Sequence, residues 1–174
     1  DWMFDFALSE KLDTVFVSTL KNSDESALTR MLRDPNGMIS LSDAGAHLTF
    51  FCDAGFGLHL LGYWVRERGI MSLEQAVQKI TSYPAHVYGI RERGYLRPGA
   101  WADLMLFDPV RVARGPSRRA WDLPAGASRL ICDPVGLHGV WINGVRVVHD
   151  NQGISVPRAP GMLLREFSAE QHLS

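Results

Sequence analysis

The stretch ISLSDAGAHL, residues 39–48, decides how this chain reads. A short apolar run, Met38 to Leu41, ends in Ser42-Asp43, breaks into the small residues Ala44-Gly45-Ala46, and then supplies His47. In parallel α/β architectures chemistry gathers at the C-terminal ends of strands, where loops converge. A strand that delivers a carboxylate there has two readings. In one, Asp43 ligates a divalent metal or takes a proton from a metal-bound water. The small residues then let substrate approach closely, and His47 donates a hydrogen bond to substrate or holds Asp43 in place. In the other, Asp43 caps the following turn and His47 is an ordinary loop residue. Spacing alone leaves both open.

Helix and strand alternate on either side of this stretch. WMFDFALSEKL, residues 2–12, places Met3, Phe6, Ala7 and Leu12 at helical spacing. TVFVSTL, residues 14–20, is β-branched and aromatic, which predicts a buried strand. Asn22 with Glu25 has the spacing of a capping box, and Ala27, Leu28, Met31 and Leu32 follow as a helix that Asp34-Pro35 stops. Beyond His47, Leu58, Leu61, Trp64 and Val65 form a helical stripe ending at Gly69. Ser72 and Gln75 cap a helix carrying Leu73, Ala76, Val77 and Ile80. SYPAHVYG, residues 82–89, predicts a short helix with Pro84 near its start and Gly89 after its end. Short connections between alternating elements predict parallel strands covered by helices.

From Gly94 the character changes. GYLRPGAWADLMLFDP carries a Pro-Gly turn and a compact apolar strand, Leu104 to Phe107. In HGVWINGVRVVHD, Asn143-Gly144 is the preferred turn pair of a two-residue hairpin, flanked by Trp141-Ile142 and Val145 to Val148. Residues 111–130, rich in Gly, Pro and Arg, read as a long ordered loop.

Composition narrows the classes. With 174 residues, 46% hydrophobic and 21% charged, the chain can bury a core and fits a soluble globular protein. A formal net charge of -1 gives no electrostatic case for nucleic acid or an anionic membrane. No apolar run approaches the roughly 18 residues of a membrane span. The opening DWMFDFALSEKL lacks the basic-then-apolar pattern of a signal peptide. Cys52 and Cys132 are too few and too far apart for a disulfide framework or a structural zinc site; free thiols in a reducing cytoplasm are expected.

Other candidate sites are weaker. DAGFGLH, residues 53–59, has a Gly-x-Gly without the third glycine or a clear preceding strand, and His59 is expected to be packed. His86, His138, His149 and His172 have no spacing that suggests a shared metal, and neither His-x-His nor His-Glu-x-x-His occurs. Arg66, Glu67 and Arg68 read as a solvated helix end. Arg111, Arg114, Arg118 and Arg119 could meet an acidic partner but more often decorate a surface loop. GASRL, residues 126–130, lacks the second glycine of a nucleophile elbow.

Two runs carry a resemblance. Ser-Asp-Ala-Gly-Ala-His at 42–47, and the Gly-x-Leu-x-Pro-Gly-x-x-Ala-Asp-Leu-x-x-Phe-Asp-Pro run from Gly94 to Pro109, resemble the C-terminal part of a metal-dependent amidohydrolase. The branch is the D-aminoacylase (N-acyl-D-amino-acid deacylase) group, and the likeness covers nearly the whole chain. It implies an α/β fold: residues 1–93 as the last strands and helices of a (β/α)8 barrel, and 94–174 as the C-terminal part of a small β domain. It places Asp43 at the end of the last barrel strand as metal ligand and catalytic residue, taking the proton of the attacking water and passing it to the leaving amine. His47 would stand on the substrate side. The implied cofactor is zinc, one or two ions, and the implied substrate a small N-acyl amino acid or related amide.

The group's other metal ligands are a His-x-His near the first strand, histidines on middle strands, and a bridging Lys, Glu or Cys. None has a counterpart here; Lys21 follows the wrong strand to be that lysine, and Leu41 stands where the deacylases commonly have glycine. A complete barrel takes about 250 residues. The expectation is therefore a C-terminal segment of a longer hydrolase, inactive alone, with Asp1 not a natural start. The partner would be a missing N-terminal portion or a second copy. Two alternatives stand beside it: a non-catalytic self-associating or binding module, and one half of a split hydrolase.

Overall fold

The computed structural model describes residues 1–16, 18, 22–39, 42–45, 47–165 and 167. Contacts divide the chain into two units, Asp1–Asp34 and Pro35–Ser174.

The first unit holds α1 (Trp2–Ser9) and α2 (Glu25–Arg33). Helix α1 forms where the apolar spacing predicts it, yet Met3 and Phe6 stay exposed, and Leu12 lies beyond its end, exposed as well. Helix α2 is capped by Asp24, whose carboxylate accepts from the Ser26 N–H at 2.9 Å and the Ala27 N–H at 3.0 Å. The expected cap, Asn22, instead takes a left-handed φ of 55°. Asp24 wins because it directly precedes the first helical residue, where a side-chain oxygen reaches the free N–H groups of the first turn.

The strand expected over 14–20 falls partly on residues outside the described set, 17, 19 and 20; Thr14, Val15, Phe16 and Ser18 are described and form no strand. Met38 and Ile39 likewise form none, while Ser40, Leu41, Lys21 and His172 lie outside the described residues. A strand exists through ladder bonds to a neighbour. Among the described residues no strand pairs with these segments, and every ladder is antiparallel, so the expected parallel pairing is not found there.

In the second unit, α3 (Phe56–His59) runs directly into a π-helical segment, Leu60–Glu67. Then come α4 (Leu73–Ile80) and α5 (Ser82–Val87). The capping box of α4 is closed both ways: Gln75 N–H donates to Ser72 Oγ at 3.2 Å, and Ser72 N–H to Gln75 Oε1 at 3.0 Å. Leu60, Leu61, Trp64, Ala76, Ala85, Val112 and Leu137 are buried, so the core lies where these helices meet the β strands.

Strands β1 (Leu104–Phe107), β4 (Leu137–Ile142), β5 (Val145–His149) and β6 (Gln152–Gly153) form one sheet in the order β1-β4-β5-β6. The β4–β5 turn is the expected one, with φ of 48° at Asn143 and 81° at Gly144, as a type I′ turn requires.

Residues 111–130 are not a loop. Most of them belong to a second sheet, β2 (Ala113–Ala120) paired with β3 (Arg129–Val135). Gly and Pro argue against a strand in general, but here they sit at the bulge between Arg114 and Ser117. At Gly115 a Cβ would stand 2.3 Å from the Asp133 carbonyl oxygen, so only glycine fits that approach.

Candidate active site

The segment from Ser42 to Cys52 is shaped first by its own backbone. Ser42 Oγ accepts from the Ala44 N–H at 3.2 Å, a local turn that serine favours. Asp43 has a φ of 53°, a left-handed conformation that aspartate tolerates better than most residues, and Gly45 follows at 93°. The His47 carbonyl accepts from the Phe50 N–H at 3.1 Å and the Phe51 N–H at 2.9 Å. Its imidazole stacks on the Phe50 ring with centroids 4.9 Å apart. The side chains of Asp43 and His47 are both exposed.

The β2–β3 hairpin holds this segment through its carbonyls. Leu130 N–H donates to the Leu48 carbonyl at 2.7 Å. Arg119 Nη1 donates to the Thr49 carbonyl at 3.1 Å, and Arg114 Nη2 to the Cys52 carbonyl at 2.8 Å. The bulge brings Arg114 to Ser117 as well, whose Oγ accepts from the same Nη2 at 2.9 Å. Arg118 grips Asp133 with two hydrogen bonds, at 2.5 and 2.9 Å, and Arg129 grips Asp122 with two at 2.7 Å. These bonds hold both carboxyl groups below the usual carboxylate range. The arginines of this stretch therefore tie the hairpin to itself and to the loop.

Asp43 lies in the turn that Ser42 closes and His47 opens the next, and the carbonyls held by the hairpin follow His47, at Leu48, Thr49 and Cys52. Among the described residues no group of three His, Cys, Asp or Glu side chains comes close enough to hold a metal ion. His59 is exposed rather than packed as expected, although its ring stacks on Tyr63 with centroids 5.0 Å apart. Partial burial pushes its pKa down, the nearby Arg114 cation acts the same way, and Asp53 and Glu67 oppose. His138 and His149 approach Asp150 at 3.5 and 3.6 Å, a neighbourhood that hairpin register creates and sequence spacing does not announce. Cys52 and Cys132 are free, as expected, but they are not remote: their Sγ atoms lie 3.9 Å apart. Nothing in an 80-residue separation signals that contact.

Known proteins with similar sequences fit this arrangement. The chain is 42% identical over 88 residues to N-acyl-D-glutamate deacylase of Alcaligenes xylosoxydans xylosoxydans, covering 51% of this chain and 16% of that protein. It is 40% identical over 106 residues to N-acyl-D-aspartate deacylase of the same organism, covering 61% and 19%. The chain therefore spans less than a fifth of the length of either relative. A solved D-aminoacylase, studied for the functional role of its binuclear metal center, superposes with a TM-score of 0.54 at 31% identity, over 75% of this chain and 26% of its own. The mixed helix and strand content described above thus fits an amidohydrolase fold. The sequence profile of the Amidohydrolase family matches residues 5–148, nearly everything from α1 to β5, and on that extent the chain belongs to the Amidohydrolase family.

Proposed function

We propose that this chain is the C-terminal segment of a metal-dependent hydrolase that cleaves the amide bond of N-acyl D-amino acids. Residues 1–93 would close a (β/α)8 barrel, and 94–174 would contribute to a small β domain. The observation that carries the reading is an exposed Asp43, in a left-handed turn, within a chain 42% identical over 88 residues and 40% over 106 residues to two D-amino-acid deacylases. Further support comes from apolar residues left without cover. Trp2, Phe4 and Leu8 on α1 are exposed, as are Leu104, Met105 and Leu106 on the edge strand β1. Large apolar surface and an apolar strand edge suit faces that further chain covers.

Asp43 is proposed as base and then acid. An ionised carboxylate accepts the proton of the attacking water and returns it to the amine as the C–N bond breaks. His47, stacked on Phe50, would donate a hydrogen bond to the substrate. Zinc is the proposed metal, but the described donors do not make a zinc site. Asp43 is one carboxylate, where a catalytic zinc takes about three protein ligands. The remaining ligands would come from outside these residues, and the chain alone would not turn over. A cytoplasmic location belongs to the same proposal, on the two free thiols.

Asp43→Asn in the intact protein tests the assignment with N-acyl-D-glutamate and N-acyl-D-aspartate as substrates. Loss of a general base lowers kcat by roughly 10²- to 10⁴-fold while the fold is kept. Full turnover in the variant would remove Asp43 from the chemistry. The same uncovered surfaces favour a second reading, a self-associating module. Sedimentation of the chain, with and without a candidate N-terminal polypeptide, separates a homo-oligomer from a half enzyme.

A further inference from the structure

We propose that Cys52 and Cys132 are the two halves of a reversible disulfide that locks residues 48–52, just after His47, onto the β2–β3 hairpin. The two thiols come from the end of the site segment and from β3, and their Sγ atoms stand 3.9 Å apart, both partly buried. A disulfide bond is about 2.0 Å long, so the sulfurs need approach by only about 2 Å. Their surroundings suit thiol chemistry. Arg114 is anchored on the Cys52 carbonyl at 2.8 Å, which sets a cation beside the pair. Cations beside a thiol favour the nucleophilic thiolate. Burial, together with the hydrogen bond from its neighbour, pushes the Cys132 thiol up. Whichever thiol reacts first, the other stands within reach to resolve it.

The oxidant is a peroxide. One thiolate attacks an oxygen of hydrogen peroxide; the O–O bond breaks, one water leaves, and that cysteine becomes a sulfenic acid. The second sulfur then attacks the first; the S–O bond breaks, and the hydroxide leaves as water with the proton of the second thiol. Two thiols and one peroxide give one disulfide and two waters. Each sulfur loses one electron, and the peroxide gains two. Exchange with a small dithiol reverses the bond.

The lock adds a covalent tie to a segment already held at the Leu48, Thr49 and Cys52 carbonyls. It does not depend on the role assigned to Asp43. The test is to treat dilute protein with hydrogen peroxide, block remaining thiols with N-ethylmaleimide, and map peptides by mass spectrometry. Expected is one intrachain cross-linked peptide joining Cys52 to Cys132, lighter than its parts by two hydrogens and released by dithiothreitol. Amide hydrogen exchange over residues 47–52 should slow several-fold in the oxidised form. In Cys132→Ser the same treatment should leave a Cys52 sulfenic acid that dimedone captures. Both cysteines recovered as maleimide adducts, or a cross-link only between chains, would overturn the pairing. A cross-link with unchanged exchange would overturn the lock.

Discussion

A methyl group on Gly62 would stand 2.5 Å from the carbonyl oxygen of Val112. Gly62 is buried in the π-helical segment, and Val112 is buried just before β2. The same carbonyl accepts a hydrogen bond from Arg66 Nη1 at 2.5 Å. Helix and strand therefore touch backbone to backbone here, with no room for a side chain between them.

Gly62→Ala should accordingly destabilise the protein by about 1–3 kcal/mol, the cost of overpacking a filled core. Gly57→Ala supplies the contrast, since its nearest neighbour would be Ile80 Cδ1 at 3.9 Å. There the helical preference for alanine dominates, and stability should hold or rise by up to about 1 kcal/mol. Urea unfolding of the pair separates the packing clash from propensity.

Arg119 is an exposed side chain with two internal partners, the Thr49 carbonyl and Ser128 Oγ, each at 3.1 Å. Arg119→Ala should lower stability by about 1 kcal/mol, the net worth of such a bond. Faster hydrogen exchange confined to residues 48–51 would mark the loop anchor. An unchanged exchange pattern would return Arg119 to the solvated surface.

Asp103 joins separate segments of the β region. Its carboxylate pairs with Arg93 and accepts the Asn143 N–H at 2.8 Å, while Arg93 Nη2 donates to Asn143 Oδ1 at 3.0 Å. Removing one partner leaves a largely buried guanidinium without its counter-ion, so Asp103→Ala should cost about 2 kcal/mol. Asp103→Asn keeps an acceptor for the Asn143 N–H and should recover part of that loss in thermal unfolding.

His59 makes stability depend on pH. Its folded pKa lies below the ordinary histidine value, first through burial and then through Arg114. The unfolded chain therefore binds the proton more readily, and protonation favours unfolding. The contribution is fully present above about pH 6.5 and is lost as pH falls below it toward the depressed folded value. The urea midpoint should drop more for the parent protein than for His59→Gln between about pH 8 and pH 5. Parallel pH profiles would show that His59 does not carry the effect.

Local signals were legible wherever the structure rests on local bonds. The Ser72–Gln75 capping box, the end of α2 before Pro35, the Asn143-Gly144 turn and the bounds of β1 all follow from residues a few positions apart. The cap of α2 was misread because Asn22 and Asp24 are both capable caps, and only helix phase chooses between them. The β2–β3 hairpin was illegible because its contacts are long-range: Arg114 and Arg119 reach back 62 and 70 residues to carbonyl oxygens. An arginine looks the same in sequence whether it is solvated or anchoring a loop. The small residues around Asp43 did announce a turn; the clamp on the carbonyls of Leu48, Thr49 and Cys52 beyond it comes from residues whose composition argued for a loop.

The hairpin turn at Asn143 has a consequence for chemical ageing. Asparagine followed by glycine is the dipeptide most given to cyclisation, in which the glycine nitrogen attacks the side-chain amide and ammonia is lost. Here the Gly144 N–H is engaged by the Ala102 carbonyl at 2.9 Å. Both ends of the Asn143 amide are also held, its oxygen by Arg93 and its nitrogen by the Pro160 carbonyl. The attacking nitrogen and the amide it would attack are thus each held by other partners while the sheet is intact. Deamidation at Asn143 becomes a clock that runs only when this sheet opens.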